Sequence, residues 1–307
     1  MPKHYITFRD LSADEYFHVF SRAKKLKAER LRGLYLRPHL GGRSVGLIFS
    51  KPSTRTRVSF NCAVSELGGT PLAMNVSETQ FTRGEPISHS ARVFSRYLSA
   101  LVIRTYHESE LRGLAEYATI PIVNALTNEQ HPCQVLTDVF TFVEALDGKP
   151  LERQRVCWIG DGHNMANTWI EAAAVFGFAL TLACPEGYDP DPVILRNAQN
   201  DNPGIKLTRS PAEAAAGAGA VNTDVFASMD QTGETEKRLV DFKGFQVDSG
   251  IMAKAAPGAI FMHCLPAHPG EEVTDEVLES PASVIFDQAE NRLHAQKALL
   301  EYLIPPL

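Results

Sequence analysis

The chain has 307 residues, 44% of them apolar and 21% charged, with a formal net charge of −6. That length suggests two domains, the composition is globular rather than disordered, and an acidic balance without a long basic run excludes non-specific nucleic-acid binding. Five widely spaced cysteines (Cys62, Cys133, Cys157, Cys184, Cys264) without a CxxC pair argue against zinc or a redox couple and fit reduced thiols in the cytoplasm, while neither a signal-peptide core nor a membrane-length apolar run is present.

Ser12-Ala13-Asp14-Glu15 has the capping-box pattern and opens a helix whose basic end, Lys24 to Arg32, reads as solvated. The apolar run 44–50 reads as a buried strand. Behind it stands Ser53-Thr54-Arg55-Thr56-Arg57, and then a helical segment from Val58 that stops at Gly68-Gly69. A helix N-terminus offers unpaired N–H groups and partial positive charge. Hydroxyls and guanidinium groups added there make a socket for a small oxyanion such as phosphate. The plainer alternative is that Ser53 or Thr54 only caps the helix. Arg57 lies roughly 200° round a helix from Arg55 and ranks below it.

The pattern continues with a strand over 70–76, a polar loop over 77–86 and a helix over 87–98. A strand over 100–103 then ends at Arg104, followed by a helix over 107–117 and a strand over 120–124. His131-Pro132-Cys133-Gln134 opens the next helix, with Pro132 suited to its first position. His131 is either a helix cap or, with Gln134 one turn on, a holder of a carbonyl oxygen or an amide. Alternating strands and helices predict a parallel sheet covered on both faces. Ligands bind beyond the carboxyl ends of such strands. Ser53–Arg57, Arg104 and His131–Gln134 all sit at predicted strand ends, so they can converge.

Asp147-Gly148-Lys149-Pro150 marks a boundary and a second α/β series follows. Its predicted strands are 154–159, 179–184, 205–208, 219–224, 259–262 and 283–286, with helices from Met165, over 193–199 and 211–216, and a closing helix from Asp287 to Tyr302. The expected division is residues 1–147, with the closing helix 287–307 packed back on them, and residues 148–286. Gly160-Asp161-Gly162 follows a strand, but the third glycine of a dinucleotide fingerprint would fall at Met165 and no acid ends the next strand. The two glycines are better read as shaping a tight turn, and a nicotinamide-dependent dehydrogenase is a minor alternative. Asp224 at a strand end is either an ammonium-binding carboxylate or a turn-forming residue. Cys264 is either a buried small hydrophobe or a thiol facing a ligand. Arg292, in the closing helix, reads by itself as a surface arginine.

Taken in order, Ser53-Thr54-Arg55-Thr56-Arg57, His131-Pro132-Cys133-Gln134, Asn222-Thr223-Asp224, Ser228-Met229 and His263-Cys264-Leu265-Pro266 resemble the motifs of the carbamoyltransferase family in its ornithine-specific form. The resemblance covers essentially the whole chain. It implies two doubly wound α/β domains with the active site in the cleft between them. It also implies transfer of a carbamoyl group from carbamoyl phosphate to the δ-amine of L-ornithine, giving citrulline and phosphate, most naturally in arginine biosynthesis. Ser53, Thr54, Arg55 and Thr56 would hold the phosphate, and Arg104 would bridge phosphate and carbonyl oxygen. His131 and Gln134 would hold the carbamoyl end, with the backbone at Cys264-Leu265 and the side chain of Arg292 closing on it. Asn164, Asp224, Ser228 and Met229 would hold ornithine, and Cys264 would assist loss of the amine proton. The resemblance implies no metal and no organic cofactor. It further implies a homotrimer in which Gln80 reaches the phosphate of a neighbouring subunit. One departure stands out: Asp230 occupies the place where the family usually has glycine after Ser-Met. That substitution leaves putrescine or N-acetylornithine as alternative amines, and a non-catalytic carbamoyl phosphate-binding protein as a remoter one.

Overall fold

The computed structural model describes residues 2–36, 38–51, 53–76, 84–227 and 235–306. The chain divides into two compact units, Met1–Phe140 with Glu290–Leu307, and Thr141–Ala289.

In the first unit, helix α1 (Ala13–Leu31) starts where the capping box places it. Ser12 Oγ accepts from Glu15 N at 3.4 Å, and Glu15 Oε2 accepts from Ser12 N at 2.8 Å. Strands β1 (Ser44–Phe49), β2 (Thr70–Asn75), β3 (Ala100–Arg104) and β4 (Ile122–Leu126) alternate with helices α2 (Thr54–Glu66), α3 (Ile87–Tyr97) and α4 (Glu108–Tyr117), and α5 (Pro132–Ala145) follows β4. The sheet order is β2-β1-β3-β4 and every pairing is parallel. Strands β1 and β3 are almost wholly buried, as their continuous apolar runs demand when helices cover both faces. β2 is one edge strand and largely exposed. Ile48, Leu101, Ile103, Leu111, Leu114 and Ile122 lie at the centre of one packed face.

The second unit repeats the plan. Strands β5 (Arg155–Ile159), β6 (Ala179–Ala183), β7 (Ile205–Thr208), β8 (Ala220–Thr223) and β9 (Ile260–His263) form a parallel sheet in the order β7-β6-β5-β8-β9. Helices α6 (Asn164–Phe176), α7 (Pro192–Asp201) and α8 (Pro211–Ala215) connect its strands, joined by the short α9 (Thr235–Asp241), α10 (Ser249–Met252) and α11 (Asp275–Leu278). The sheet order reverses at β5, so the ends of β5 and β8 stand at a topological switch point.

Two expectations change. The run 283–286 is not a strand: a bridge between Phe261 and Ser283, with Val284 N donating to Phe261 O at 3.0 Å, exhausts the pairing, and helix α12 (Ile285–Leu303) begins at once. Helix α2 begins at Thr54 rather than Val58, so the hydroxyl and arginine motif forms its first turn.

Candidate active site

The first unit gathers polar groups at the ends of β1, β3 and β4. Ser53 holds the N-cap position of α2, yet its side chain makes no capping bond; its Oγ accepts from Arg104 Nη1 at 3.3 Å instead. The simple cap reading therefore fails for Ser53. In the first turn Thr54 is exposed, Arg55 half-buried, Thr56 buried and Arg57 exposed. The Arg57 guanidinium lies 5.8 Å from the Phe49 ring centroid.

Arg292 in α12 is the residue that sequence alone reads as superficial. It is 3% exposed. Its Nη2 donates to Thr56 Oγ1 at 2.6 Å and its Nη1 to Gln134 Oε1 at 2.7 Å. Gln134 in turn donates from Nε2 to Asp138 Oδ1 at 2.8 Å, which orients the amide. His131, one turn before Gln134, is buried; burial, with the charges of Arg292 and Arg104 close by, holds its imidazole well below the ordinary histidine range. A neutral imidazole can offer one N–H and one lone pair to an uncharged polar group. Burial also pushes the neighbouring Cys133 thiol up to about 12, so this cysteine is a packing residue. Lys51, a cation 7% exposed, has no motif around it in the sequence. Its Nζ donates to Asn128 Oδ1 at 2.8 Å and lies 4.2 Å from the Tyr106 ring centroid. The ends of β1, β3 and β4 thus carry Lys51, Arg104 and His131 beside the first turn of α2. Anion binding is what such a constellation does best.

The second unit brings together Asp224, Cys264 and the turn at 160–164. Gly160 has φ 138°, and a Cβ on Gly162 would lie 2.2 Å from Pro190 N, so this glycine pair allows a close chain approach. Asn164, half-buried, is the first residue of α6. Beyond β8, Asp224 Oδ1 accepts from Val225 N at 2.8 Å and from the Cys264 thiol at 3.1 Å. Burial pushes the Asp224 carboxyl above the ordinary carboxylate range. Leu265 sits at φ 59°, and its N–H donates to His263 Nδ1 at 2.9 Å. The ring proton of His263 must then be on Nε2, which donates to Glu272 Oε1 at 3.1 Å. His263 and Glu272 have fully buried side chains and fix the backbone from which Cys264 projects. Nothing in the sequence spacing of Glu272 links it to His263. Asp161, in the same turn as Asn164, pairs with Arg238, whose Nη1 also donates to Phe226 O at 2.8 Å.

Asp224, His263 and Cys264 lie within metal-ligating distance of one another. Both ring nitrogens of His263 are engaged, however, so the set has no imidazole lone pair for a cation. Gln80, Ser228, Met229 and Asp230 lie outside the described residues.

A family model for the aspartate/ornithine carbamoyltransferase carbamoyl-P binding domain matches residues 3–144, and the model for the Asp/Orn binding domain matches residues 152–303. An ornithine carbamoyltransferase of Nitratidesulfovibrio vulgaris is 52% identical over 303 residues, covering 99% of each chain. Among solved structures, the ornithine carbamoyltransferase of Pyrococcus furiosus superposes with a TM-score of 0.93 at 41% identity, covering 99% of this chain and 97% of its own. The anabolic enzyme of Campylobacter jejuni gives 0.91 at 36% identity, with 98% of each chain covered.

Proposed function

The chain belongs to the aspartate/ornithine carbamoyltransferase family, and we propose that it transfers the carbamoyl group of carbamoyl phosphate to the δ-amine of L-ornithine, releasing citrulline and phosphate. The observation that carries this reading is the Arg292 guanidinium held by Thr56 and Gln134 close to Arg104 and His131. That arrangement suits a substrate with a phosphate at one end and an uncharged amide at the other. Relatives named ornithine carbamoyltransferase along the full length support ornithine as the amine.

In this reading Ser53, Thr54, Arg55 and Thr56 bind phosphate through side chains and the backbone N–H groups of the first turn of α2. Arg104 spans phosphate and carbonyl oxygen. His131, Gln134 and Arg292 take the carbamoyl end. The free δ-amine attacks the carbamoyl carbon, a C–N bond forms, and negative charge develops on the carbonyl oxygen. The C–O bond to phosphate then breaks and phosphate leaves with that bonding pair. Donors fixed on the developing oxyanion are typically worth about 3 kcal/mol each. An unperturbed amine of this kind has a pKa of about 10.4, so it must lose a proton before attack at neutral pH. Cys264, acting as the thiolate, is the group we assign to that deprotonation, and the second proton, lost after attack, leaves on the departing phosphate. Asn164, Asp224, Ser228 and Met229 hold the α-ammonium and α-carboxylate.

The working form in this reading is a cytoplasmic homotrimer in arginine biosynthesis, with Gln80 reaching a neighbouring subunit's phosphate. Supporting a homotrimer, the edge strand β2 and helix α2 present Leu72 and Val58, 41% and 55% exposed, an apolar edge that a second copy would cover. Supporting the cytoplasm, all five cysteines are free thiols. Among the described residues no helix is long and apolar enough to cross a membrane. The test of the activity is citrulline formation from carbamoyl phosphate and ornithine. Folded protein that makes none above the uncatalysed background would sink the reading.

A further inference from the structure

We propose that His268, Glu271 and Glu272 form a binding site for one divalent transition-metal ion of the zinc, cobalt or manganese class, apart from the residues assigned to substrate. The three lie on one turn between β9 and α11. Gly270, at φ 91°, and the bonds Glu271 N to His268 O (3.0 Å) and Gly270 N to Val273 O (2.9 Å) reverse the chain there. One ligand atom from each residue lies within 4.8 Å of the other two. His268 and Glu271 are partly exposed to solvent, whereas Glu272 is fully buried.

Proximity alone would describe many surface clusters. The independent observation is the state of the Glu272 carboxylate. Its Oε1 accepts twice, from His263 Nε2 at 3.1 Å and from His268 N at 2.6 Å. Its Oε2 is equally buried and has no hydrogen-bond partner. A desolvated carboxylate oxygen without a donor is expensive, and native proteins rarely leave one so. The contact between His268 Nδ1 and Glu271 Oε2, at 3.6 Å, does nothing for that oxygen. A cation bound to Oε2, with His268 and Glu271 completing its inner shell and water taking the fourth place, satisfies it.

The donor set decides the class of ion. One imidazole and two carboxylates suit zinc, cobalt and manganese, while magnesium and calcium favour oxygen alone. Metal–ligand bonds of about 2.0–2.2 Å require the cluster to contract. Glu272 is fixed, and the two partly exposed side chains have the freedom to close on it. His263 cannot compete as a ligand, since both its nitrogens are taken.

The test uses the full-length chain stripped with EDTA and dialysed. It is titrated with CoCl2, followed by visible absorption, and with ZnCl2, followed by calorimetry. His268→Ala and Cys264→Ala are run in parallel, with circular dichroism as the folding control. The expected result is one saturable ion per chain, weakened at least about tenfold by His268→Ala and unchanged by Cys264→Ala. Every other pattern overturns the site, including no saturable uptake or uptake that depends on Cys264. The readout is metal binding, so it stands or falls separately from carbamoyl transfer.

Discussion

Arg292 Nη2 stands 2.6 Å from Thr56 Oγ1, joining two residues 236 positions apart in the sequence. With Nη1 on Gln134 the guanidinium uses its fork on two fixed acceptors, and it is almost wholly buried. Lysine is a point charge on a flexible stem and cannot reproduce that fork. Arg292→Lys is therefore expected to lower kcat/KM by about 100-fold or more, the scale of one lost oxyanion donor, and to lower the melting temperature as well. Steady-state citrulline assays and thermal unfolding check the two effects. Wild-type kinetics in Arg292→Lys would remove the guanidinium from the mechanism.

The reach of the sequence is visible in this same pair. The apolar runs of β1, β3, β5 and β8 are legible because strands buried on both faces need no polar alternation. The motif at 53–57 is legible because a helix start after a strand has known chemistry. Arg292 is not, because burial of a helical arginine depends on what packs over it. The same holds for Glu272, whose partner His263 is nine residues away across an irregular loop. The short helices α9, α10 and α11 have at most seven residues, too few for a periodic signal. The apolar run 283–286 misleads for the opposite reason: its composition suits a strand, but one bridge to Phe261 is all the pairing it finds.

His131 makes stability depend on pH. In the folded state burial and two nearby guanidinium charges hold its pKa well below the ordinary value, whereas in the unfolded chain it titrates near 6.5. The unfolded state therefore binds the extra proton first. The contribution is fully present above about pH 6.5 and is lost as pH falls toward the folded pKa, at up to about 1.4 kcal/mol per pH unit for one proton. His4 and His294, also lowered mainly by burial, act in the same direction. Urea unfolding on either side of that pH should show a shallower slope in His131→Gln than in the wild type. An unchanged slope would mean that His131 is already protonated in the native state.

Asp224 predicts how ornithine binding responds to acid. Burial raises its pKa, so its carboxylate is lost at a higher pH than an ordinary one. In the role proposed for Asp224, only the ionised form can pair with the α-ammonium of ornithine. The KM for ornithine should therefore rise as pH falls through that raised value, while the KM for carbamoyl phosphate does not follow it. In Asp224→Asn the acid limb should disappear, with a uniformly weaker ornithine affinity. A limb that survives the substitution belongs to another group.

Arg238 and Asp161 form a pair with side chains 6% and 15% exposed. The arginine also donates to Phe226 O and lies 4.9 Å from the Tyr188 ring centroid. Removing one member of a pair this deep leaves the other charge unmatched, which typically costs about 3–5 kcal/mol. Arg238→Met should be destabilised on that scale. Adding Asp161→Asn should recover part of the loss, because the stranded carboxylate is gone. A double variant no more stable than Arg238→Met would place the loss in packing rather than charge.

Gly162 and Gly113 should respond to alanine with opposite signs. A Cβ on Gly162 falls 2.2 Å from Pro190 N, 2.3 Å from the Asp189 carbonyl carbon and 2.6 Å from Tyr188 O, all of them backbone. The 188–190 segment would have to retreat, breaking the bond from Gly162 N to Tyr188 O and disturbing Asp191 N on Asn167 Oδ1. Overpacking of this kind costs about 1–3 kcal/mol or more. It also shifts the turn that leads into Asn164, so ornithine KM should rise with stability falling. Gly113 lies inside α4, where a Cβ meets only Ile87 Cγ2 and Cδ1, at 3.6 and 3.8 Å. There alanine adds ordinary contact and removes glycine's helix penalty of about 0.8–1.0 kcal/mol. Thermal unfolding of the two variants side by side should bracket the wild type. If Gly162→Ala melts with or above the wild type, the close approach of the 188–190 backbone is not a constraint on the turn.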